Sequence, residues 1–397
     1  MMLRYVVAWV LLCIVPLAHA ADATKPRARD LGVPFVGTPG PLNAITDVAG
    51  VEVGHTTLIS GSGPLKIGSG PVRTGVTAVL PRGKKDPLNP VFAGWFTQNG
   101  NGEMTGTTWL EESGQLVGPV MITNTHSVGV VRDAVIAWSL ARYKIDLDDW
   151  WSLPVVAETW DGWLNDINGF HVKQDHVFAA LDSAAPGPVT EGNVGGGTGM
   201  ICYEFKGGIG TSSRRVTDAS GSYTVGVLVQ ANFGVRWQLT VAGVPVGQEI
   251  PAPPGTAMRP HPQGTSDVGS IIVVVATDAP LLPHQLKRLA RRASMGVART
   301  GGMASNSSGD IFIAFSTANP GTGGKEGLPA VKMLPNPRIT PFFEATVEAT
   351  EESIINALVA AQTMTGISDH RVEALPHDRL VQLLRKYNRL AASKAAK

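Results

Sequence analysis

Cysteine is nearly missing from this chain: of 397 residues only Cys13 and Cys202 carry a thiol, and Cys13 lies inside an N-terminal apolar run. A single remaining cysteine makes no internal disulfide, so a cross-linked scaffold is excluded and the hydrophobic core must hold the fold. A cysteine-based zinc site goes with it, and His171 and His176 are too loosely spaced to stand in as a metal pair. No metal or other cofactor is expected. Charge is sparse as well: 16% of residues are charged, and 33 basic against 32 acidic side chains leave a formal net charge of +1. That balance gives no electrostatic footprint for nucleic acid, and Arg288, Arg291 and Arg292 read as the polar side of a helix. Two catalytic loops are also missing. Gly264-Thr-Ser-Asp-Val268 fails as a Gly-x-Ser-x-Gly elbow at its last position, and the glycine cluster Gly192 to Gly199 lacks the Lys-Ser/Thr of a phosphate loop. The cluster is a tight connection between elements or a place where substrate approaches backbone N–H groups.

What is present begins with an export signal over residues 1–20: Arg4, an apolar run from Val6 to Leu17, and Ala18-His19-Ala20 before Ala21. The run is shorter than the roughly 17 to 25 residues of a bilayer crossing, so a periplasmic or secreted protein without a membrane anchor after signal removal is expected. Hydrophobic residues make up 43% of the chain, ample for a large core, and 46 glycines exceed the usual share of about 7%. Strands alternating with tight turns are expected between Val36 and Leu80, and further strands at Tyr223 to Ala231 and Ile311 to Phe315. Helical spacing marks Val128 to Tyr143 and Pro283 to Arg299; further helices follow Thr340-Pro341 and start near Pro376. Strands and helices cluster instead of alternating strictly, which favours a layered α+β fold over a doubly wound sheet.

The most informative stretch surrounds Ser270. Residues 243–269 are rich in Pro and Gly, a composition that favours loop, and Ile271 to Val275 is an unbroken β-branched run typical of a strand buried on both faces. A serine at that junction suits self-cleavage at Gly269-Ser270. Breaking that bond gives Ser270 a free α-amine with a reference pKa of about 7.7 to 8.0, so one residue supplies both nucleophile and base.

Ser308-Gly309-Asp310 opens a second strand as Ser270 opens the first. If the two strands are neighbours, Asp310 can bind an ammonium group or orient Ser308, and Ser308 can reach Ser270 or its amine; otherwise Ser-Gly-Asp is an ordinary turn. Asn232 follows a third strand, where its amide can donate to a developing oxyanion or simply stabilise a turn.

Taken together, Ala44 to His55, Glu158 to Asp166, Gly192 to Gly210, Val229 to Phe233, Gly269 to Pro280 and Ser308 to Asp310 resemble the autoprocessed DmpA/BapA-type peptidases, which include L-aminopeptidase/D-esterases and β-aminopeptidases. The resemblance covers nearly all of the chain beyond the signal. It implies a four-layer αββα sandwich like that of N-terminal-nucleophile hydrolases, cut into an α chain (21–269) and a β chain (270–397) that stay associated, usually as a tetramer of heterodimers. It further implies Ser270 as nucleophile, Asn232 at the oxyanion, and Ser308 and Asp310 beside them; some relatives carry glutamate at the acidic position. Trp160 stands where the matching motif usually has tyrosine. An indole donates a hydrogen bond but accepts no proton, so a different substrate preference is expected. Glu158 is a candidate for holding the substrate amine. The implied substrate is a short peptide, or an aminoacyl amide or ester, with an L-α-, D-α- or β-amino acid at its N-terminus. Two other readings stay open: acyl transfer of the ornithine-acetyltransferase type, and an exported ligand-binding protein that makes no product.

Overall fold

The computed structural model describes residues 25–251, 269–324 and 327–391; the proposed signal and most of the loop before Gly269 lie outside them. In chain order the strands are β1 (Glu52–Ser60), β2 (Val72–Leu80), β3 (Val91–Gly100), β4 (Gln115–Leu116), β5 (Val120–Asn124), β6 (Val155–Thr159), the small hairpin of β7 (Ile201–Cys202) and β8 (Phe205–Lys206), β9 (Gly208–Asp218), β10 (Gly221–Asn232), β11 (Ser270–Thr277), β12 (Gly309–Ser316) and the small pair β13 (Met364–Thr365) and β14 (Arg371–Val372). The helices are α1 (Thr107–Ser113), α2 (Val128–Arg142), α3 (Gln174–Asp182), α4 (Val246–Glu249), α5 (Pro283–Arg299), α6 (Thr340–Ala360) and α7 (His377–Lys386).

Two sheets form the middle of the molecule, one of order β1-β2-β5-β6 and one of order β4-β3-β12-β11-β10-β9. β5 and β6 run parallel, as do β11 and β12; the remaining pairs are antiparallel. Val79, Ile122 and Ala157 of the first sheet meet Leu228, Ile272 and Ile313 of the second in one apolar core. Helices α2 and α3 close a second core on the outer face of the four-stranded sheet, and α5 and α6 close a third on the six-stranded sheet. This is the layered α+β fold expected from the sequence, in the four-layer αββα form that the family resemblance implies.

The same layering explains the unbroken run after Ser270. Along a strand alternate side chains face opposite sides, and in β11 Ile272, Val274 and Ala276 enter the inter-sheet core while Ile271, Val273 and Val275 face the helices. Both faces are therefore dry, and all eight residues of β11 are buried. The strand sits at the centre of its sheet, between β10 and β12.

The chain order has a further consequence. Strands β3, β9 and β10 precede Gly269, whereas β11 and β12 follow it and lie between them. Helix α6 is also tied across this point: Glu352 forms ion pairs with Arg29 at 2.7 Å and with the fully buried Arg214 at 2.8 Å.

Candidate active site

Strand register brings the site together. Ser270 opens β11 and lies opposite Asn232 on β10 and Gly309 on β12, so three neighbouring strands, about 4.8 Å apart, present the candidates at one edge of the sheet. Ser270 is 7% exposed, and its Oγ accepts the Gly309 N–H at 3.1 Å. By the alternation of β11 its side chain shares the inter-sheet face with Ile272.

Two glycines make this approach possible. A Cβ on Gly269 would stand 2.0 Å from the Asn232 carbonyl oxygen and 2.4 Å from the Phe233 Cα. One on Gly309 would stand 2.4 Å from the Asn101 carbonyl oxygen and 2.8 Å from the Gly102 Cα. Both obstacles are backbone, which has no rotamer to yield, so any larger residue must push strands apart.

Asn232 is fully buried and held at both ends of its amide. Oδ1 accepts the Ile201 N–H at 2.8 Å, and Nδ2 donates to the Trp160 carbonyl at 2.9 Å. The orientation of the amide is thus fixed by its partners. The glycine cluster forms a buried 3-10 turn (Gly195–Gly197), with Gly195 N–H and Gly196 N–H donated to the Thr57 and Thr77 hydroxyls; it is a tight connection that leads to Ile201.

Ser308 and Asp310 flank Gly309 and pair with each other: the Ser308 hydroxyl donates to Asp310 Oδ1 at 2.7 Å, with both side chains buried. The two side chains are therefore in hydrogen-bond contact. Asp310 lies on the helix side of β12 with Phe312, where both line a cavity of about 280 Å³ together with Gln98, Met295 and Met303.

Glu158 and Trp160 reach the site from β6 and the residues after it. Glu158 Oε1 accepts the Glu103 N–H at 3.0 Å, and Oε2 accepts the Thr125 hydroxyl. Burial pushes this carboxyl above its ordinary range, opposed by those two donors. Gly102 bridges the sheets, since a Cβ there would touch both Gly309 Cα, at 3.2 Å, and Glu158 Oε1, at 3.3 Å. The Trp160 indole lies over Gly162, whose Cβ would fall 2.6 Å from the ring.

Sequence reasoning passed over the segment Gln98 to Gly102, although its Gln-Asn-Gly-Asn-Gly composition announces a turn with side-chain hydrogen bonding. Asn99 Oδ1 accepts the Asp310 N–H at 3.1 Å, and Asn99 and Asn101 each donate at 2.7 Å to the carbonyls of Ser305 and Ser307. These asparagines brace the loop that delivers Ser308.

A serine at the start of a central strand in an αββα sandwich defines an N-terminal-nucleophile-type hydrolase fold. Comparison with known proteins gives the family: residues 43–372 match the model of peptidase family S58, and the chain belongs to that family. The chain is 59% identical to the β-peptidyl aminopeptidase BapA of Sphingosinicella microcystinivorans over 95% of its length and 96% of the relative's. It is 52% identical to BapA of Sphingosinicella xenopeptidilytica, covering 94% of each chain. Among solved structures, the L-aminopeptidase D-Ala-esterase/amidase of Ochrobactrum anthropi, described as a variant of the Ntn hydrolase fold, superposes with a TM-score of 0.85 at 50% identity, over 92% of this chain and 100% of that one. The protein is an aminopeptidase.

Proposed function

We propose that this aminopeptidase matures by cutting itself at Gly269-Ser270 and then removes β-amino acids from the N-termini of short peptides and aminoacyl amides through an ester on Ser270. The observation that carries the reading is the register of Asn232, Ser270 and Gly309 around the strand-opening serine. In maturation the Ser270 Oγ attacks the Gly269 carbonyl carbon; the C–N bond breaks as the new C–O ester forms, and the Ser270 nitrogen takes up the hydroxyl proton as an amine. Water then hydrolyses the ester and frees the Gly269 carboxylate. The two products stay together as an α chain (21–269) and a β chain (270–397), because β11 and β12 are hydrogen-bonded between β10 and β3. The assembly proposed is a tetramer of such heterodimers, exported after removal of residues 1–20 to the periplasm or the medium.

In turnover the neutral Ser270 amine, aided by Ser308, takes the Ser270 hydroxyl proton. Asn232 and backbone N–H groups stabilise the tetrahedral oxyanion, the amine product leaves with a proton, and water releases the acyl group. Asp310 orients Ser308, and Glu158 receives the substrate ammonium. The preference for β-amino acids is supported by full-length similarity to the two Sphingosinicella enzymes. An extra backbone carbon moves the ammonium relative to the scissile carbonyl, so a fixed carboxylate discriminates α from β substrates by distance. A substrate panel tests this: the ratio of kcat/KM for β-homoamino-acid p-nitroanilides to that for their α counterparts should exceed one, and a ratio below one rejects the β assignment.

Trp160→Tyr should shift that ratio while leaving maturation intact, since Asn232 is held by the backbone carbonyl of residue 160, which the substitution keeps. Identical kinetics across the panel would remove Trp160 from substrate selection. Gly269→Ala should slow maturation by clashing with the Asn232 and Phe233 backbone, yet give normal turnover in whatever fraction is eventually cut, because residue 269 is no longer attached to the nucleophile. Intact-mass time courses paired with activity per mole of β chain separate the two effects.

A further inference from the structure

Lys206 is an ammonium with no place in the chemistry above, and it is completely buried. Its Nζ donates to three backbone carbonyls: Met200 at 2.6 Å, Gly207 at 2.9 Å and Gly197 at 3.4 Å. Three acceptors match the three hydrogens of the charged form; a neutral amine has only two. The shortest of these bonds is to the peptide whose other end matters most. The Met200 carbonyl and the Ile201 N–H belong to one peptide unit, and that N–H is the donor to Asn232 Oδ1 at 2.8 Å.

The chain of bonds continues in the same sense on the far side of Asn232. Its Nδ2 donates to the Trp160 carbonyl at 2.9 Å, and that carbonyl belongs to the peptide unit that ends at the buried Asp161. A cation, a peptide, a side-chain amide and a second peptide are thus joined head to tail, every donor pointing away from Lys206. Bonds so aligned polarise one another, by about 10 to 30% each. We infer that Lys206 is a positioning residue for Asn232, acting through the Met200–Ile201 peptide to fix the amide and strengthen its N–H groups as donors. This rests on the reading of Asn232 as the oxyanion donor given above.

A pH signature separates this role from mere support. Burial lowers the Lys206 ammonium to about 7, against the pull of Cys202 and Asp161, the groups that act on it. The cation is therefore present below that value and lost as pH rises through it. Burial raises Asp161 to about 7, with Thr74 and Asn165 opposing; its charged form appears as pH rises, so its titration runs opposite to the loss of the Lys206 cation. Deprotonation of the Ser270 amine likewise raises activity with pH. An alkaline falling limb in kcat that is present in the wild type and lost in Lys206→Met thus belongs to Lys206.

The test is a cycle of Lys206→Met, Asn232→Ala and the double variant, each assayed as matured holoenzyme with one β-aminoacyl p-nitroanilide across pH 5.5 to 9.5 (roughly the range spanning both titrations). Lys206→Met should lower kcat about tenfold with KM within about twofold, lose the falling limb, and cost nothing further once Asn232 is Ala. Unchanged kcat with the limb intact overturns the inference, as does a loss that persists undiminished in the Asn232→Ala background. Wild-type kcat in Asn232→Ala would instead remove the oxyanion reading and this inference with it. If Lys206→Met fails to fold, the wild-type profile decides: a falling limb is required, and kcat that stays flat to pH 9 or so overturns the proposal.

Discussion

Ser270→Ala should yield one uncut chain after signal removal and no measurable hydrolysis of any aminoacyl amide. Both losses have one cause. The hydroxyl that attacks the Gly269 carbonyl during maturation is the hydroxyl that attacks substrate afterwards, and alanine supplies neither it nor, while uncut, the free amine that would take its proton. Removing the nucleophile of a serine hydrolase costs on the order of 10⁶ in kcat. The fold itself should survive, because the Ser270 Oγ makes its contact to a single backbone donor, Gly309 N–H, and the neighbouring β11 residues carry the packing. Intact-mass measurement, N-terminal sequencing and circular dichroism of the purified variant check the three parts separately. A Ser270→Ala protein found in two pieces, the second beginning at residue 270, would assign the cut to another agent. Full activity in such a protein would remove Ser270 from the chemistry.

The layers of this fold were legible where one physical signal dominated. The β-branched run after Ser270 marked a strand buried on both faces, and it lies at the centre of its sheet. The 3.6-residue spacing of Leu286, Leu289 and Ala293 marked the buried side of α5, and all three enter the helix-side core. By contrast β3 and β9 were not anticipated. β3 ends in Asn-Gly, and its last residues are partly exposed. β9 reads Gly-Ile-Gly-Thr-Ser-Ser-Arg-Arg-Val, and the polar side chains from Thr211 to Arg214 are buried because α6 and the N-terminal segment supply their partners. Ser212 bonds the Ala349 carbonyl and Ser213 bonds Asp47, contacts that link residues far apart in the chain and leave no local pattern. The site followed the same division. Ser270, Ser308 and Asp310 stood at strand starts and were found there, but their alignment depends on register between β10, β11 and β12, a tertiary property. Lys206 and Asp161 lie within matched segments but were given no role there; only burial and partners in the folded chain bring them into view.

Asn232→Ala should lower kcat by roughly 10² to 10³, the usual cost of one oxyanion donor, and leave KM little changed. The structure explains why kcat carries the effect. In the oxyanion reading the acceptor of the Asn232 amide becomes negatively charged only as the tetrahedral state forms, so the amide acts on the barrier more than on the bound substrate. Alanine also leaves the buried Ile201 N–H and Trp160 carbonyl without this partner, which costs stability by about 1 to 3 kcal/mol for each group. A second variant separates that cost from catalysis. Asn232→Asp keeps an acceptor for the Ile201 N–H but, as a carboxylate, donates nothing, so it should restore part of the lost melting temperature and none of the lost kcat. Maturation should slow in both variants, because attack on the Gly269 carbonyl develops the same negative oxygen beside the same strand end. Steady-state kinetics, thermal unfolding and a mass-resolved maturation time course report the three effects independently. A loss confined to KM, or recovered by Asn232→Asp in step with stability, would make Asn232 a structural residue and leave the oxyanion to backbone donors alone.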